Sequence, residues 1–221
     1  MHWKFVLIVL LFLSCNQQKE EKSAIKKIIS PRNNYISLLY NSTVSKKYMN
    51  ELHVHLKKAF PFKINLKESP ELPVQLKSKI HTDRYRGDSI LHYLHRMYVG
   101  KAIKTILITH HDISVTKYQH GDRTKIKEPA YRYKDWAVFG YGSCPGYTCV
   151  VSVKRLWARN ANEKTFLQRL KNISVHELGH TFGLPHCPVQ KCVMNDANET
   201  IVTIDKSTGL FCKDCRTKLN Y

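Results

Sequence analysis

The chain has 221 residues, enough for one domain with a true hydrophobic core, and its 43% hydrophobic and 24% charged composition excludes intrinsic disorder. Thirty-six Lys and Arg against 17 Asp and Glu give a formal net charge of +19. The basic residues are scattered as singles and pairs, without a long basic block or an aromatic–basic repeat. That pattern gives no reason to expect a specific nucleic-acid partner and favours contact with anionic envelope surfaces or acidic substrates.

The first elements are targeting signals. Phe5–Leu13 is an unbroken apolar run, too short to span a bilayer as a helix but suited to the hydrophobic region of an export signal. Ser14 and Cys15 follow, and a small residue before a single cysteine resembles a bacterial lipoprotein signal. On this reading residues 1–14 are removed and Cys15 is lipidated. A charged tether, 15–33, then places the rest of the chain at the bacterial cell envelope, held to a membrane. Alternatives are a plain secretory signal or an uncleaved anchor.

Tyr35–Tyr40 (YISLLY) predicts a short strand, residues 45–59 an amphipathic helix, and Phe62–Leu66 a second strand. Pro70 and Pro73 punctuate a loop, Ser89–Val99 reads as another helix, and Lys104–Thr109 (KTILIT) as a buried strand. Residues 110–135 are charged and turn-rich and read as irregular. Trp136–Tyr141 and Cys149–Leu156 are predicted strands flanking the turn GSCPGYT. Asn162 caps a helix expected from Glu163 to about Phe182, with Phe166, Leu170 and Ile173 facing the core. This order gives a mixed α/β sheet across 34–183. Residues 184–221 form a small cysteine-rich subdomain, expected to be held by metal rather than by a core.

The strongest chemical signal begins at His176. His176 and His180 lie one turn apart on one helix face, so both imidazoles can reach one metal, while Glu177 can be aimed at a water. Gly183 supplies the left-handed turn that ends the helix, and Pro185 prevents its continuation. His186 is thereby returned as a third ligand. The whole reads HExxHxxGxxH, with Met194 downstream as a candidate methionine turn. Three protein ligands leave one position for water, the arrangement of a catalytic zinc. Glu177 is then the general base for hydrolysis of a peptide bond.

Six cysteines besides Cys15 remain. Cys187-x4-Cys192 and Cys212-x2-Cys215 suit either a four-thiolate structural zinc or two disulfides, and spacing leaves both open. From His176 to Cys215, 40 residues, histidines, glycine, methionine and cysteines stand as in the archaemetzincin signature, which the chain resembles at every fixed position. ITHHDISV (108–115) and WAVFGY (136–141) are similar more loosely.

The resemblance implies a metzincin fold with an upper and a small lower subdomain, a mixed twisted sheet and an active-site helix. It implies two zinc ions: a catalytic one on His176, His180 and His186, and a structural one on Cys187, Cys192, Cys212 and Cys215. It also makes residues 136–141 the sheet edge that pairs with an extended peptide or protein substrate. Cys144 and Cys149 lie outside the signature, and a local disulfide across CPGYTC is expected in an exported protein. A monomer is expected. His110, His111, His53 and His55 are read as ordinary hydrogen-bonded histidines rather than ligands, and Asp112 receives no role. Two non-enzymatic readings remain at this stage, a binding module for peptides or envelope polymers and a metal carrier.

Overall fold

A run of four parallel strands, the inner three buried on both faces, organises the molecule. In this computed structural model, which describes residues 34–196 and 200–219, β1 (Tyr35–Asn41) lies between β2 (Lys63–Ser69) and β4 (Lys104–Thr109), parallel to both. The export signal and tether expected over 1–33, with Cys15, lie outside the described residues. β10 (Thr148–Ser152) continues the parallel run beside β4, and β9 (Gly140–Gly142) closes it antiparallel, giving the order β2-β1-β4-β10-β9. The mixed α/β sheet expected from the order of elements is therefore present.

Side chains alternate between the faces of this sheet, so each strand feeds two cores. Ile36, Leu38, Ile106, Ile108, Cys149 and Val151 point to one face, and Leu39, Leu107 and Val150 to the other. Helix α1 (Lys46–Ala59) packs Met49, Leu52 and Leu56 on the first face. Helix α2 (Gly87–Tyr98) packs Ile90, Leu91 and Leu94 on the second.

A second sheet joins β3 (Arg84–Arg86), β5 (Asp112–Val115) and β8 (Trp136–Val138). Its presence corrects two expectations. Residues 110–135 are not irregular, because they contain β5, a hairpin of β6 (Tyr118–Gln119) and β7 (Asp122–Ile126), and the short helix α3 (Ala130–Tyr133). The pattern of β5 is hidden by Asp112, a carboxylate buried in a strand because Arg84 and Arg155 both pair with it. The predicted strand 136–141 is two strands in different sheets, β8 against β5 and β9 against β10, divided at Phe139.

The long helix α4 (Glu163–Thr181) crosses the α1 face, its N-terminus capped by the Asn162 side chain, which accepts from the Thr165 N–H at 2.9 Å. Phe166, Leu170 and Ile173 are buried as predicted. The segment after α4 differs from expectation. Met194, Ile201, Ile204, Phe211 and Leu219 join the same apolar cluster as β1 and α1, so this region has a core of its own contribution. Two short helices, α5 (Ile201–Lys206) and α6 (Lys213–Leu219), carry it. Arg169 of α4 fastens α5 through a bidentate pair with Asp205, at 2.6 and 2.8 Å.

Candidate active site

The last two turns of α4 and the turn that ends it bring three imidazoles together. Gly183 sits at φ +92°, where Leu184 N–H bonds back to Gly179 O at 3.1 Å and Gly183 N–H to His180 O at 2.8 Å. This is a six-residue helix-ending turn that needs a residue free to adopt positive φ. It reverses the chain, and His186 then faces His176 and His180 with ring centroids 5.4 and 4.9 Å away. One nitrogen from each of the three lies within 4.8 Å of the others.

Hydrogen bonds decide which nitrogens face inward. His176 Nδ1 is 2.7 Å from Val193 O, and His180 Nδ1 is 2.8 Å from Leu184 O. A carbonyl only accepts, so both Nδ1 atoms carry the proton and both Nε2 atoms are bare lone pairs. Those two Nε2 atoms stand 3.0 Å apart. Two acceptors at that distance repel unless a cation lies between them, so the donor set fits a metal ion, and the outer carbonyls are the partners that orient metal-binding histidines. Burial, with His180 adding to it, pulls His176 down to about 3, and burial also lowers His180. Both rings stay neutral and able to coordinate at ordinary pH. Asp196 Oδ2 stands 3.6 Å from His186 Nδ1, near the third ring but beyond hydrogen-bonding reach.

Glu177 is buried beside them against the edge strand β9. Gly140 and Gly142 occur at alternate positions and so share the α4 face, while Tyr141 packs on the other. A Cβ on Gly140 would stand 2.6 Å from both Cγ and Oε1 of Glu177, and one on Gly142 would stand 2.8 Å from its main-chain oxygen. The two glycines are therefore the cradle of this carboxylate. Burial pushes Glu177 up to about 8. A divalent cation at the histidines would oppose that shift and favour the carboxylate.

Met194 lies against the α4 backbone. It is fully buried, and a Cβ on Gly179 would stand 2.5 Å from its sulfur. The sulfur thus touches the α4 backbone between the two helical histidines.

The four cysteines form a separate cluster. Cys187 Sγ to Cys212 Sγ and Cys192 Sγ to Cys215 Sγ are each 3.8 Å, and all four sulfurs lie within 4.8 Å of one another. Disulfide sulfurs would be about 2.05 Å apart. Tetrahedral zinc thiolates with Zn–S of about 2.3 Å place their sulfurs about 3.8 Å apart, so this cluster fits a closed metal site. The Cys215 N–H holds the Cys212 thiol below its ordinary value, while burial raises Cys215.

Cys144 and Cys149 are free thiols rather than the expected disulfide. Cys149 points into the core from β10, whereas Cys144 Sγ is 3.4 Å from Leu184 O. Their turn is fixed instead by Lys104, whose Nζ donates to Gly146 O at 2.6 Å and to Thr181 O at 2.8 Å. Among the other histidines, His53 Nε2 lies 2.9 Å from Ile64 O. The His110 and His111 rings are 3.8 Å apart and tilted by 42°, and His111 Nε2 is 3.0 Å from Glu71 Oε2. One ligand-type atom from each of Glu71, His110 and His111 lies within 4.8 Å of the others.

Several site residues had escaped the sequence reading. Gly140 and Gly142 were legible only as a Gly-x-Gly alternation within a strand, and Gly179 only through its contact with Met194. The Val193 and Leu184 carbonyls carry no sequence signal.

Similarity to known proteins follows this geometry. An archaemetzincin of Methanopyrus kandleri is 42% identical over 78 residues, 35% of this chain and 43% of that protein. One of Haloarcula marismortui is 27% identical over 190 residues, 82% of this chain and 97% of that one. The matched stretches span under half the length of the first three curated relatives, from 43% to 46%. Among solved structures, M. kandleri archaemetzincin superposes with a TM-score of 0.65 at 26% identity, over 86% of this chain and 94% of that one. The Archaeoglobus fulgidus archaemetzincin complexed with malonate gives 0.61 at 25%, over 83% and 99%. The sequence profile of Peptidase family M54 matches residues 48–221, most of the chain including the histidine and cysteine clusters, and the chain belongs to that family.

Proposed function

We propose that the protein is a zinc-dependent metallopeptidase that hydrolyses peptide bonds of peptide or protein substrates. The observation that carries this reading is the pair of Nε2 lone pairs of His176 and His180 facing each other at 3.0 Å, with buried Glu177 alongside. His176, His180 and His186 would hold the catalytic zinc. When bound, that ion supplies Lewis acidity toward a scissile carbonyl and an attacking water.

The remaining work falls to the chain. Glu177, held by the Gly140–Gly142 cradle, accepts the proton of the attacking water at its carboxylate and returns it to the leaving amine. The free edge of β9 offers backbone donors and acceptors to an extended substrate beside that carboxylate. Cys187, Cys192, Cys212 and Cys215 would hold a second, structural zinc that fastens α6 to the end of α4, giving two zinc ions per monomer. Both non-enzymatic readings lose ground to Glu177, because neither a binder nor a carrier needs a carboxylate buried in a glycine cradle.

Glu177→Ala tests the activity: zinc content should be unchanged while cleavage of a mixed peptide pool disappears. Cleavage that survives in this variant overturns the assignment. The sequence further supports lipidation at Cys15 and attachment to the envelope membrane. Cys15→Ala should move the expressed protein from the membrane fraction to the soluble one, and an unchanged distribution would remove this part of the reading.

A further inference from the structure

The cleft of about 700 Å³ that contains Glu177 and the three histidines extends past β8 along a wall rich in cations. Arg132 lies over the Trp136 ring, its guanidinium carbon 5.0 Å from the centroid, and Lys117 Nζ is 5.3 Å from the same ring. Arg132 has no carboxylate partner among the described residues. Next along the wall, Arg84 and Arg155 share the carboxylate of Asp112, at 3.2 and 2.6 Å, and Arg86 beside them is held by Asp88 at 3.2 Å. The other acid of this wall, Asp135, is 3% exposed and already accepts from Ser78 Oγ at 2.6 Å, with Arg86 at 3.5 Å. The acids open to the cleft, Glu177 and Asp196, stand at the metal end.

A guanidinium resting on an aromatic face keeps its N–H edges free, and those edges match a carboxylate in two-point geometry. The net charge of +19 adds a long-range attraction for anions.

We propose that the substrates are acidic peptides, with an Asp or Glu side chain received at Arg132 and Trp136 in the wall at the start of β8. This rests on the metallopeptidase reading for its use in catalysis, but the recognition can be measured without turnover. Binding of matched fluorescent peptides carrying Glu, Gln or Lys at one position is followed by anisotropy on zinc-loaded Glu177→Ala protein.

The Glu peptide should bind about 10-fold more tightly than the Gln peptide, the scale of one charged hydrogen-bonded contact. Arg132→Glu should abolish that preference. Lys57→Glu, an equal charge change on the exposed end of α1, should leave it intact. Equal binding of the three peptides, or the same loss in both charge variants, overturns the proposal. In the active protein, kcat/KM should follow the same order through KM. If wild-type protein cleaves no peptide while the binding order holds, the metallopeptidase reading has failed and the recognition site stands.

Discussion

Glu177 and the residues that touch it define the chemistry at the smallest scale. Gly140→Ala would place a Cβ 2.6 Å from the Glu177 side chain, so the carboxylate must shift away from β9. A displacement of about 1 Å costs on the order of 100-fold in rate, so kcat should fall by that order while the zinc content is unchanged. Steady-state kinetics with metal analysis would show this, and full activity would mean that the cradle does not position Glu177. The same carboxylate predicts a pH effect on the metal-free protein. Its folded value is raised to about 8 from an ordinary 4.5, so between those values the unfolded chain loses a proton that the folded chain keeps. Stability therefore falls as pH rises through that window. His176 and His180 shift the opposite way, so wild-type and Glu177→Gln proteins must be compared. Urea unfolding after chelation should show the difference between them growing from pH 4.5 to 8 against the wild type, and a flat difference would contradict the shift. HExxH and the glycine turn were legible at this scale because they are local in sequence. The carbonyls that orient the rings and the glycines that admit Glu177 were not, since each acts across tertiary contacts.

At the scale of elements, the active-site helix α4 is wedged between the edge of the sheet and the segment that follows it. Met194 presses on Gly179, so Gly179→Ala would overpack that contact by a Cβ 2.5 Å from the sulfur. Overpacking of a tight core costs about 1–3 kcal/mol, and here the strain would fall between His176 and His180. Gly179→Ala should lower both the melting temperature and the zinc affinity of the histidine site, leaving the thiolate site filled. Calorimetry and metal analysis together would detect it, and a variant with unchanged zinc affinity would separate Met194 from the metal. Long periodic elements were readable in advance: α1, α2, α4, β1 and β4 declare themselves through apolar spacing. β5 was missed because its first residue is a carboxylate buried by two arginines, and the β6–β7 hairpin because both its faces are solvated and charged. Residues 136–141 looked like one strand because local pattern cannot tell which sheet a residue joins.

Across the whole molecule, one apolar cluster runs from β1 through α4 to Leu219, so core contacts fix the C-terminal segment. Its cysteine content had suggested support from metal alone, since Ile201, Ile204 and Phe211 are too widely spaced to announce a shared core. This arrangement predicts staged metal loss. A mild chelator should empty the more open histidine site first and abolish activity, with the fold and the four-thiolate metal retained. Simultaneous loss of both metals with unfolding would contradict separate roles for the two sites. Intact-mass spectrometry of the folded protein under native conditions tests the central assignment most directly, with His186→Ala and Cys212→Ser variants beside the wild type. Two zinc ions with no disulfide are expected in the wild type, and one in each variant. One zinc with disulfides among Cys187, Cys192, Cys212 and Cys215, or no loss of zinc in His186→Ala, would contradict it.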